Sequence, residues 1–116
     1  MAVTQSELAL QTATRAGHIA AQACADAAER HSPGWVAQAY AAFLAFAKID
    51  PARKFTTEDV RNAAKDTVPP APDDRAWGAI AQRAKRAGIV KAVGTRCVSS
   101  SNGSPKTLWL LNPDSP

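Results

Sequence analysis

The sequence predicts a mainly α-helical chain that carries one small β-hairpin. Three observations point there. Apolar residues recur at helical spacing through most of the first 87 positions. Ser, Thr or Asp stands ahead of each helical stretch, and Pro or Gly follows it. Finally, two β-prone arms flank Ser101-Asn102-Gly103-Ser104-Pro105, and Asn-Gly is a strong turn pair.

The first predicted helix runs from about Thr4 to Arg30. Thr4 followed by Glu7 matches a capping box, in which each side chain satisfies a free backbone N–H at the helix start. Gln11, Thr14, His18, Gln22 and Glu29 form a polar stripe, and Ala9, Ala13, Ala16, Ala20, Ala23, Cys24 and Ala27 form the opposite one. Small apolar side chains bury little area but allow close approach. This helix therefore suits dimerisation or docking, or folding back on its own domain. Ser32 as cap and Pro33 as first residue open a second helix to about Lys48. Trp35, Val36, Ala39, Tyr40, Phe43, Phe46 and Ala47 share one broad face, which marks the centre of the core.

Asp50-Pro51 ends that helix, and Lys54-Phe55-Thr56 reads as a short extended piece. Thr56 or Thr57 caps a third helix ending near Asp66, with Glu58 and Asp59 in its first turn, where the helix dipole favours acids. Val60, Ala63 and Ala64 are expected inside. Val68-Pro69-Pro70-Ala71-Pro72 is a stiff connector that a helix cannot cross. Asp73 or Asp74 caps a fourth helix to about Ala87, with Trp77, Ile80, Ala81, Ala84 and Ala87 inward. Gly88 suits the left-handed position past a helix end, and Ile89 supplies the apolar contact after it. Strands are expected over 89–93, 95–100 and 106–111.

Composition limits what this chain can be. Leu, Ile, Val and Phe make up only 20 of 116 residues, whereas Ala alone contributes 26. Such a low share signals disorder only when net charge is high, and here it is +4. One domain with a small core follows. No apolar run approaches the ~18 residues of a membrane span. No basic segment followed by an apolar run opens the chain, so no secretory signal is expected and a cytoplasmic location is. Cys24 and Cys97 lack the spacing of a zinc site and read as free thiols in a reducing compartment, although a disulfide stays open. No phosphate loop, dinucleotide turn or nucleophile elbow occurs, and no titratable cluster suggests catalysis. The expectation is a non-enzymatic protein without cofactor or metal.

Charge is distributed unevenly. Residues 1–50 carry three basic and four acidic side chains, and residues 51–116 carry eleven and six. From Arg75 to Pro113 there are seven basic residues and no Asp or Glu. A stretch of one sign this long attracts phosphate or an acidic protein surface.

From Ser32 to Leu111 the order of elements resembles the winged helix-turn-helix fold, here preceded by a long N-terminal helix. The resemblance lies in Phe55-Thr-Thr-Glu-Asp-Val60 opening the first helix of the pair, Arg75-Ala-Trp-Gly-Ala-Ile80 on the recognition helix, and Ser101–Pro105 at the wing tip. These stretches are also loosely similar to small phage and prophage proteins. The chain then divides into an alanine-rich helix over 1–31, a winged domain over 32–111 and a short tail over 112–116.

The resemblance implies that the outward stripe of the fourth helix, Arg75, Ala79, Gln82 and Arg86 flanked by Gly78, enters the major groove, roughly 12 Å wide. Gln82 would bond base edges, and Arg75 and Arg86 would bond bases or phosphates. Arg83 and Lys85 suit phosphates, and the wing adds Arg96, Asn102 and Lys106. The expected function is a DNA-binding regulator or accessory factor of phage type acting on double-stranded DNA. The alternative is a protein-interaction module, an inhibitor or adaptor that turns the same basic face to an acidic partner. Residues 5–30 are the candidate homodimer contact.

Overall fold

A computed structural model describes residues 5–97 and 105–113, with side chains over 15–96 and 105–113. The elements are α1 (Gln5–His31), α2 (Trp35–Ile49), α3 (Thr57–Ala64), α4 (Ala76–Arg86), β1 (Val90–Cys97) and β2 (Pro105–Leu111). The described chain is thus mainly helical with a small antiparallel hairpin, as expected. Of the expected wing tip, Ser101 to Ser104 lie outside the described residues, and Pro105 is the first residue of β2.

The turn between α1 and α2 is built differently from the expected Ser-Pro cap. Gly34 occupies the N-cap position of α2 with φ 90°, a left-handed conformation that glycine adopts without strain. The cap itself comes from the preceding helix. Glu29 accepts hydrogen bonds from the backbone N–H of Gly34 at 2.6 Å and of Val36 at 3.0 Å. These backbone donors hold its carboxyl below the usual glutamate range. One carboxylate near the end of α1 therefore satisfies the start of α2.

The apolar face of α2 is as the sequence predicts. Trp35, Ala39, Phe43 and Ala47 are buried, with Val36, Tyr40 and Phe46 packed at the margin. Phe55 sits edge-on to both Phe43 and Phe46, at centroid distances of 5.5 and 5.2 Å. The extended piece at Phe55 is a single bridge to Trp109, with hydrogen bonds of 3.0 and 2.7 Å exchanged between the two backbones. β2 is thus flanked by β1 on one side and Phe55 on the other. A buried Thr56 then caps α3. Its Oγ1 accepts from the Asp59 N–H at 3.3 Å, while the Asp59 carboxylate accepts from the Thr56 N–H at 2.9 Å. Val60 and Ala64 are buried, but Ala63 is exposed because α3 ends too soon to need a wider apolar face. The proline connector is tied to α2 by the Trp35 indole N–H, which donates to the Pro69 carbonyl at 2.8 Å.

Helix α4 begins at Ala76, two or three residues after the expected cap. Asp73 still bonds the entering backbone, accepting the Arg75 N–H at 2.9 Å. The far end closes as expected. Gly88 has φ 76° and donates to the Lys85 carbonyl, and Ile89 donates to Ala84, both at 3.0 Å. The two strands expected over 89–93 and 95–100 are one strand over its described length. It is paired with β2 from Val90↔Leu111 to Cys97↔Pro105 and irregular between Ala92 and Gly94, where Val93 is the extra residue.

The first helix folds back. Ala21, Ala25 and Ala28 are buried in the same cluster as Trp35, Phe43, Trp77 and Trp109, and α1 lies chiefly on α4. The buried stripe is rotated from the expected one: Ala23 is exposed, and Ala20, Cys24 and Ala27 are half-buried. From Arg15 to Ile19 every residue is exposed, so α1 has left the body before Ala20.

Candidate nucleic-acid interface

The side chains that the sequence assigns to one surface are sorted by the structure into three groups. The first group is enclosed. From Ala76 to Gln82 no residue of α4 is exposed: Gly78 and Gln82 are half-buried and the other five are buried. Two elements account for this. The aromatic core takes Trp77, which meets Trp35 edge-on at 5.5 Å, and Ile80. Helix α1 takes the opposite side, and a Cβ placed on Gly78 would stand 3.5 Å from the Ala21 methyl. The expected outward position of Gly78 and Ala79 is therefore corrected. Ala79 is 7% exposed, because the small residues that would let α4 enter a groove let α1 approach instead. Ala87, expected inside, is exposed.

The second group is paired. Arg75 is exposed, but its guanidinium is held by Asp73, with Nη2 to Oδ2 at 2.7 Å. That guanidinium, then the Arg75 backbone N–H, lowers the Asp73 carboxyl to about 2, and a hydrogen bond from Cys24 on α1 is a smaller cause. Arg96 of β1 pairs with Asp59, the same carboxylate that caps α3. Outside the expected set, Arg61 pairs with Asp74 at 3.0 Å and more loosely with Glu58. Arg83 lays its guanidinium over the Tyr40 ring at 4.2 Å, and Arg53 does the same over Phe46 at 4.1 Å.

The third group is open. Lys85 and Arg86 are exposed in the last turn of α4, Lys91 is exposed on β1, and Lys106 is exposed on β2. No ion pair engages these four among the described residues. Cross-strand partners share a side of a sheet, and positions alternate along each strand. Lys91 partners Leu110, and Lys106 lies two alternations away on β2, so both project from the side opposite buried Trp109. Leu108 and Leu110 occupy that side between them and are half-buried. Asn102 lies outside the described residues.

Asp59, Asp73 and Asp74 are thus engaged by arginines of the same molecule, and open positive charge remains at one helix end and along the hairpin. The sequence marks Lys85, Arg86 and Lys106 as contacts but not Lys91, whose place beside Lys106 follows from the strand register, and it does not reveal the acids that neutralise Arg75 and Arg96. Asp59 lies 37 positions before Arg96, and no local pattern joins them. Elsewhere, a cleft between the end of α3 and the proline connector is lined by Arg61, Lys65, Val68, Pro70 and Trp77. Its arginine is already committed to Asp74. No group of three or more His, Cys, Asp or Glu side chains stands together among the described residues, and none of the described helices is long and apolar enough to cross a membrane. Comparison with known protein families, with curated proteins and with solved structures finds no match.

Proposed function

We propose that this chain is a non-enzymatic DNA-binding protein of winged-helix type, a regulator or accessory factor of the phage kind. The observation that carries the reading is open positive charge in two neighbouring elements, Lys85 and Arg86 in the last turn of α4 and Lys91 and Lys106 on the outer side of the hairpin, while the Asp59 carboxylate is engaged by Arg96. The element order also supports it, since a helix, a bridging residue, two helices and a hairpin follow one another as in winged-helix domains. Four phosphate contacts give a slope of log affinity against log salt of roughly −3 to −4. Fluorescence anisotropy with a labelled duplex across a salt series tests this. No binding at ~50 mM salt, where the electrostatic term is strong, rejects it.

One observation favours a second reading. Leu108 and Leu110 sit half-buried on the outer side of the hairpin between lysines. An apolar centre with a cationic rim suits an acidic protein partner, which makes the chain an inhibitor or adaptor. A partner captured from lysate that survives nuclease digestion, and is lost with Leu108→Ser, supports this reading over the first.

A further inference from the structure

Resting on the DNA-binding reading, we infer that the chain holds a duplex by its phosphates alone, with α1 remaining on α4, and binds without sequence preference. Helix-turn-helix proteins read bases with the N-terminal residues of the recognition helix. In this chain those residues are the enclosed ones. Ala76 to Gln82 span nearly two turns with no exposed side chain, and Arg75 ahead of them is clamped by Asp73. Gln82 is the one uncharged base-reading side chain on α4, and it is half-buried.

The cover belongs to the fold. Ala25 and Ala28 are 1% and 0% exposed within the same cluster as the tryptophans. Glu29, one residue further on, holds the start of α2. Lifting α1 would strip both the cluster and the cap. Charge is left where backbone contacts need it. Lys85 and Arg86 close α4, and the strand from Lys91 to Arg96 covers about 15 Å. One DNA strand carries about four phosphates over that axial length. Such contacts position a protein on a duplex but carry no direct sequence information.

A crosslink tests whether α1 stays. The Cβ separation of 3.5 Å between positions 21 and 78 lies within the disulfide range. The double variant Ala21→Cys/Gly78→Cys, in a background of Cys24→Ala and Cys97→Ser, is compared oxidised and reduced. Both forms are expected to bind a mixed-sequence duplex within about twofold of each other, and selection from a randomised duplex pool should enrich no motif. The inference falls if oxidation weakens binding more than about tenfold. It also falls if selection yields a motif bound ~1,000-fold tighter than the pool, the discrimination of a base-reading protein. Hydrogen exchange on the native chain gives an independent readout. Protection of 21–28 should persist at duplex saturation, and its loss overturns the inference. A native chain that binds no duplex at ~50 mM salt removes the DNA-binding reading itself, and the inference with it. Binding by the reduced variant that disappears on oxidation removes the inference alone.

Discussion

The two sides of α4 are packed by opposite means. Toward α2 and the hairpin lies an aromatic core in which Trp35, Phe43, Phe55, Trp77 and Trp109 interlock edge-on or across strands. Toward α1 lies a seam of methyl groups, with Ala21, Ala25 and Ala28 set against a helix that presents Gly78. The aromatic side gains stability from the area that each ring buries. The alanine side gains it from close approach, since no single side chain there buries much. The first kind of packing should fail when a side chain is cut down, and the second when one is enlarged.

That contrast orders the substitutions. Phe43→Ala, which removes a fully buried ring touching Phe55, should cost about 3–5 kcal/mol in urea unfolding. Ala25→Leu should cost about 1–3 kcal/mol, because the seam has no room for three added carbons, and it should speed hydrogen exchange in α1. A result of equal size for Ala25→Leu and Ala25→Gly would show that the seam is not close-packed. Thr56→Val leaves the Asp59 N–H without its cap, and about 1 kcal/mol should be lost by the same measurement. Gly78→Ala has the opposite sign. Its new methyl meets Ala21 at an ordinary contact distance and removes a glycine from a helix, so a gain of about 0.5–1 kcal/mol is expected. Loss of stability there would mean that α1 sits closer than described.

The smallest expected effect is electrostatic. Glu29 and Asp73 have carboxyls lowered from their ordinary values of 4.5 and 3.8, Asp73 to about 2. Folding then favours the charged forms, so the Asp73 contribution is complete above about pH 3.8 and is lost as pH falls through about 2, while that of Glu29 is complete above about pH 4.5 and declines as pH falls below it. Both groups reach solvent, which screens the effect. Thermal unfolding across this range should show the decline, and Glu29→Gln should flatten part of it.

The same contrast explains what the sequence reveals and what it hides. Aromatic residues mark their own phase. Trp35, Phe43 and Trp77 repeat on faces that nothing polar interrupts, and those faces are the buried ones. Local signals such as Gly88 after α4 and Thr56 before α3 also worked, because their chemistry lies within a few residues. Alanine marks no phase. With Ala at 20, 21, 23, 25, 27 and 28, methyl groups spread over more than half of the circumference of α1, so periodicity cannot single out the stripe at 21, 25 and 28 within that arc. The start of α2 is hidden for a related reason. Ser32 has the chemistry of a cap, but Glu29 reaches both N–H groups from the previous helix. At the candidate interface, exposed lysines were legible from composition. The enclosure of Gly78, Ala79 and Gln82 was not, since it depends on a helix more than fifty positions away.

That distance bears on how the chain is made. Ala21 meets Gly78, so α1 and α2 leave the ribosome, with their shared Glu29 cap, well before the helix that α1 will cover exists. A seam of leucines would expose an adhesive stripe throughout that interval. Alanine is the strongest helix former, and its face is only weakly apolar, so α1 can be helical early and still wait without drawing in other chains. The packing that makes the finished cover so thin also makes the unfinished one safe to carry.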